Sequence, residues 1–130
     1  MRPAFASPPE LAAPAGYSHV VTIPSGRLVW TSGQVPLDAD RNVVAVGDWE
    51  GQTRQVFENL DAALRAAGAG WSDVVKLTIF VVDVSELPAI RAVRDEFVDT
   101  ERPPTSSLVQ VAGLFHQDVL IEVEAVAWLP

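Results

Sequence analysis

The chain has 130 residues, one domain of ordinary size, and area scaling leaves about two-thirds of its unfolded surface buried, so its core needs no staples. It contains no cysteine, which excludes disulfides, thiolate metal sites and cysteine nucleophiles and fits a reducing, cytoplasmic setting. Nine Lys and Arg against 17 Asp and Glu leave a net charge of −8, a poor footprint for a phosphate backbone, so no nucleic-acid partner is expected.

Residues 1–14 read as an extended lead-in to a single domain that occupies the whole chain, 1–130. Three prolines fall in the first nine residues, and no apolar core of a secretory signal is present. No apolar run approaches the ~18 residues of a membrane span, so no membrane association is expected. Tyr17 to Ile23 and Arg27 to Gly33 read as two strands joined in a hairpin by Pro24-Ser25-Gly26. Val43-Val44 reads as a short edge strand after a polar turn. A helix is expected from Trp49 to Ala67, capped by Asp48, with Val56, Leu60, Ala63, Leu64 and Ala67 on one apolar stripe. Gly68-Ala69-Gly70 stops it.

Val74 to Val82 is a β-branched run of strand length. Asp83 and Ser85 offer caps for a second helix, Pro88 suits its first turn, and Pro103-Pro104 forbids its continuation. Leu87, Ile90, Val93 and Phe97 form its inner face. The last strands are expected over Ser106 to Ala112 and Val119 to Trp128, around the loop 113–118. The order β-β-α-β-α-β-β predicts an α+β fold with two helices on one face of a mixed sheet. In the last strand Ile121, Val123, Ala125 and Ala127 suit the helix side, while Leu120, Val126 and Trp128 share the opposite side with Glu122 and Glu124. Two helices cannot cover both faces. The leftover, largely apolar face predicts a homo-oligomer.

Several blocks together resemble the RidA family, also called YjgF or UK114. They are Gly16-Tyr17-Ser18-His19, Thr31-Ser32-Gly33-Gln34-Val35-Pro36-Leu37, Gln52 to Leu60, Asp73 to Asp83 and Ile121-Glu122-Val123-Glu124-Ala125-Val126-Ala127. The likeness runs in register from about Ala15 to Ala127. It implies a chorismate-mutase-like fold, a homotrimer and small-molecule clefts at the subunit boundaries. It also implies cofactor-free hydrolysis of reactive enamines or imines to keto acids and ammonia. In active members an arginine holds the substrate carboxylate and a glutamate positions or activates water.

Carried over position by position, the resemblance assigns Glu122 as the catalytic glutamate, Tyr17 as the aromatic at the cleft mouth, and Ser32 and Gly33 as its small lining residues. Where active members read Pro-Ala-Arg-Ser, this chain reads Pro104-Thr105-Ser106-Ser107, which places Ser106 at the position of the clamping arginine. A serine hydroxyl cannot replace a bidentate, charged clamp. Arg91, on the second helix where active members often carry asparagine, could return the positive charge from the opposite wall, or could be a solvated helix arginine like its neighbour Arg94. Arg102 is a weaker substitute. Phe115, in the loop 113–118, is a candidate cleft wall.

Other chemistry is poorly supported. Glu122 and Glu124 lie about 6.5–7 Å apart on one strand face, where paired carboxylates could share acid and base work, but Glu124 could equally pair with Lys76. His19 and His116 lack a third ligand spaced for zinc, so no metal is expected. The serines lack a nucleophile-elbow context. Two functions therefore stand from the sequence: a deaminase-like hydrolase of weak or altered activity, or a non-catalytic small-molecule-binding or chaperone-like module using the same cleft. The acidic charge opposes a ribonuclease.

Overall fold

The computed structural model describes residues 2–130. Six strands and two α-helices follow in the order β1 (Ala4–Ala6), β2 (Val20–Thr22), β3 (Arg27–Trp30), α1 (Trp49–Ala66), β4 (Val74–Val81), α2 (Leu87–Phe97), β5 (Thr105–Gln110) and β6 (Ile121–Leu129). β3, β6, β4 and β5 form one mixed sheet in that spatial order, with β5 parallel to β4 and the other pairs antiparallel. The α+β architecture with both helices against one sheet face is as the sequence predicts.

The start of the chain departs from expectation. β2 does not form a hairpin with β3; it pairs with β1, from the lead-in, in a separate two-stranded ribbon. The cause lies in the intervening turn. Gly26 takes φ +115° and packs so closely on Trp128 that a Cβ there would meet its indole. The Trp128 indole N–H donates to the Ser25 carbonyl. Pinned on the end of β6, the turn sends β2 away from the sheet while Arg27 pairs with Leu129. The lead-in is held in turn by Arg102, which donates to the Pro3 carbonyl at 3.0 Å and lies over the Phe5 ring. Val43 makes only a single bridge, to Leu37, and does not extend into a strand.

The helices begin where local chemistry allows. Asp48 accepts from the Gly51 N–H at 3.1 Å at the head of α1. Asp83 caps a short 3₁₀ turn, Val84–Glu86, ahead of α2, which carries Pro88 in its first turn. Arg54 of α1 forks onto Glu96 of α2 at 2.8 and 3.3 Å, and that hydrogen bonding holds the Glu96 carboxyl below its usual range. Any stability from this exposed pair is present above the ordinary glutamate range and lost as pH falls through the lowered value. Val56, Phe57, Leu60 and Leu64 of α1 and Ile90 and Val93 of α2 are buried, as are Leu77, Ile79 and Val81 of β4 and Ile121, Val123, Ala125 and Ala127 of β6. Phe57, Trp71 and Phe97 add an aromatic cluster with centroids 5.4–5.7 Å apart.

The other sheet face is uncovered in the single chain. Leu28 and Trp30 of β3 and Val109 of β5 are exposed, Trp30 by 65%. They flank half-buried Phe80, Val126, Glu122 and Glu124. Lys76 does not pair with Glu124; its ammonium donates to Ser107 Oγ at 2.9 Å, while Glu124 stands opposite Thr78. β4 lies between β5 and β6, and the lysine turns to its β5 neighbour rather than to β6.

Two amides on α1 fix the segments around Glu122. Gln52 is fully buried; its amide donates to the carbonyls of Asp118 (2.7 Å) and Val44 (3.2 Å), and its oxygen accepts from the Leu120 N–H (2.9 Å). Asn59 donates to the carbonyls of Val35 and Leu37 at 3.0 Å each. Substituting Gln52→Leu strands three backbone groups, and each buried group left unpaired costs about 1–3 kcal/mol. Urea titration of this variant is expected to show a loss of at least that size, whereas Gln55→Leu on the same helix changes stability by less.

Candidate functional site

All the sequence-predicted site residues but Phe115 fall into two groups on opposite faces of one sheet. Ser106 stands beside Leu77 and Leu108 beside Ile79 in the β4–β5 register, so both belong to the helix side. Glu122 stands beside Phe80 in the β4–β6 register, and strand alternation puts it on the open side. No single chain can bring Ser106 and Glu122 to one small molecule.

The first group lines a cavity of about 270 Å³ between α2, the β4–β5 edge and the segment before β2. Tyr17, Arg91 and Ser106 meet there, over an apolar floor of Ile79, Leu87, Ile90 and Leu108. Arg94 is the lining residue that sequence reading misplaces. Taken as a solvated neighbour of Arg91, it is instead buried, with 9% of its side chain exposed, while Arg91 is the exposed one. The spacing Leu87, Arg91, Arg94 is i, i+4, i+7, one helix stripe, and this signal could have found it. Arg94 Nε donates to Asp95 Oδ1 at 2.9 Å. Its other nitrogens reach Gly16, which takes φ +84° and where a Cβ would overlap the guanidinium. Glycine at 16 thus lets the backbone ahead of Tyr17 close over the arginine. Tyr17 stands edge-on to His19 at 5.1 Å, and His19 Nε2 is satisfied by the Ala12 carbonyl at 2.7 Å. Arg102 is committed to Pro3 and Phe5 and does not line the cavity.

The second group surrounds Glu122. Beyond β3 the chain continues along β6: Thr31 and Ala125 exchange hydrogen bonds, and so do Gln34 and Val123. This lays Gly33 over the Glu122 side chain. A Cβ at position 33 would stand 2.5 Å from Glu122 Oε2 and 2.8 Å from its carboxyl carbon. Ser32 is exposed beside it. The Glu122 carboxylate is half-buried, and no described residue donates to it or pairs with it, so it is free to accept from water. Phe115 is 60% exposed in the loop 113–118 and belongs to neither group in the single chain.

Among the described residues, no group of three His, Asp or Glu side chains could hold a metal ion, and no helix is long and apolar enough to cross a membrane.

Comparison with known proteins gives the family and the fold. The profile of the family described as Endoribonuclease L-PSP matches residues 8–129. The chain is 39% identical to the 2-iminobutanoate/2-iminopropanoate deaminase of Salmonella typhimurium, over 88% of this chain and 91% of that protein. A Yersinia pestis structure from the conserved Rid protein family superposes with a TM-score of 0.86 at 37% identity, covering 99% of this chain and 100% of its own. Escherichia coli TdcF, solved with bound serine, superposes at 0.72 with 37% identity, covering 83% and 85%. A match that spans nearly the whole chain in both sequence and fold makes this protein a member of the Rid family, the RidA/YjgF/UK114 group.

Proposed function

We propose that the protein is a cytoplasmic, cofactor-free hydrolase of enamine or imine intermediates, working as a homotrimer with sites at its subunit boundaries. The carrying observation is the split just described. One protomer presents a cationic half-site of Tyr17, Arg91 and Ser106. The Glu122 half-site, under Gly33 and beside Ser32, lies on the reverse side of the sheet, on an apolar face that needs a partner. Packing that face against neighbouring chains would bring the two halves together, with Phe115 as a wall contributed from the exposed loop. The named activity of the Salmonella relative and the serine bound to TdcF support a small amino-acid-derived substrate.

The chemistry follows from the groups present. Glu122 holds a water and takes its proton as the oxygen adds to the imine carbon. The proton passes to nitrogen to give a carbinolamine; Glu122 then takes the hydroxyl proton and passes it to the amine as the carbon–nitrogen bond breaks, so that ammonia leaves behind a carbonyl. No electron acceptor is required. A cationic wall holds the substrate acid, and on the reading that Ser106 replaces the family's clamp, Arg91 carries that charge from α2. RNA cleavage, the activity in the matched profile's description, fits poorly with a net charge of −8.

Turnover of 2-aminoacrylate generated in situ tests the mechanism. Glu122→Gln is expected to lower kcat by about 10²–10⁴-fold, the range of a lost general base; unchanged turnover would refute it. Gly33→Ala is expected to lower kcat by about 10–100-fold, because it shifts the carboxylate, while leaving the thermal midpoint nearly unchanged, because the side chain it displaces is the free end of a glutamate. For the assembly, light scattering should report three chains for the native protein and smaller species for Trp30→Glu, since that substitution sets a charge on the exposed strand edge.

A further inference from the structure

We propose that the cavity beneath α2 is built for a small dicarboxylate, with Arg94 as the inner anchor and Arg91 as the outer one. The lining holds two guanidinium groups and no carboxylate, in a chain whose acids outnumber its bases 17 to 9. Asp95, the one acid that touches Arg94, takes only its Nε and lies partly in solvent. Nine-tenths of the Arg94 side chain is buried, yet its two terminal nitrogens have no protein acceptor and are not sealed off, so they open onto the cavity that Arg94 lines. A guanidinium whose stem is buried and whose free donors face a cavity is positioned for an anion, and its planar fork suits a carboxylate held by two parallel hydrogen bonds.

Arg91 is three residues away on the same helix, which sets the two Cβ atoms about 5–6 Å apart. That spacing suits two carboxylates separated by a two-carbon span. Apolar Ile79, Ile90 and Leu108 would contact the methylenes, and Tyr17 and Ser106 offer hydroxyls at the rim. Gly16 contributes by absence: any side chain there would displace the Arg94 fork. The ligand class is a small acid with two carboxylates, such as an intermediate derived from an acidic amino acid.

This inference refines the deaminase reading and rests on it for the reaction, but it concerns binding that needs no turnover. Calorimetric titration with succinate and with butyrate, acids of equal chain length, separates two charges from one. Native protein is expected to bind succinate at least 10-fold more tightly than butyrate. Arg91→Gln should bring the two acids to equal affinity, and Arg94→Gln should lose at least 100-fold for succinate and all measurable butyrate binding. Ser106→Asp, at a half-buried strand position that tolerates a small acid, retains both arginines but supplies a competing carboxylate; it should block succinate even if Arg94→Gln does not fold. Equal affinity for the two acids in the native protein, or native-like succinate binding by Arg94→Gln or Ser106→Asp, would overturn the proposal. Absence of succinate binding would do so as well. Native protein that binds the diacid but turns over no enamine or imine would refute the deaminase reading and leave this one standing.

Discussion

The geometry around Glu122 depends on two carboxamides of one helix. Gln52 and Asn59 are seven residues apart on α1, hence on one face. The first ties down the chain entering β6 and the second the chain leaving the Gly33 segment. Neither touches the glutamate. Together they clamp the backbone on both sides of it, so that a one-residue slip of β6, which would turn the carboxylate into the helix layer, is opposed by buried hydrogen bonds as well as by the apolar register. A rigid support of this kind is what a side chain needs if it is to hold water at a fixed distance from a reacting carbon.

The sheet separates the two arginines of the cavity from Glu122. On its helix side sit two arginines, one buried; on its open side sit two glutamates with no cationic partner, since Lys76 turns to Ser107. The two half-sites are complementary across a boundary: a glutamate without a cationic partner on one face, and two arginines lining a cavity on the other. Family membership and fold similarity are established by near full-length matches. Both arginines that line the cavity stand on α2.

Much of the fold was legible in the residues. Both helices, the β-branched β4 and the alternation along β6 follow from periodicity, and Asp48, Asp83 and Pro88 do at the termini what their chemistry suggests. The hairpin reading failed because turn residues reveal that a chain reverses but not which strand receives it. Contact between Gly26 and Trp128, over a hundred residues apart, decided that, and no local pattern reports it. Arg94 was misread for a related reason. Arginine on a helix is usually solvated, and its burial follows from Gly16 and the strand edge closing over it. Glu122 and Tyr17 were found through motif likeness, whereas their placement on opposite layers required the strand register.

The four tryptophans occupy unequal surroundings, and this gives the protein an optical gauge of its own assembly. Trp128 is already screened from solvent by the chain's own packing, so its emission should scarcely respond to concentration. Trp30 lies at the rim of the bare face with its indole largely in water. Any subunit that settles there would strip hydration from that ring, and dilution of the native protein could be followed as a red shift from this one fluorophore, without a label.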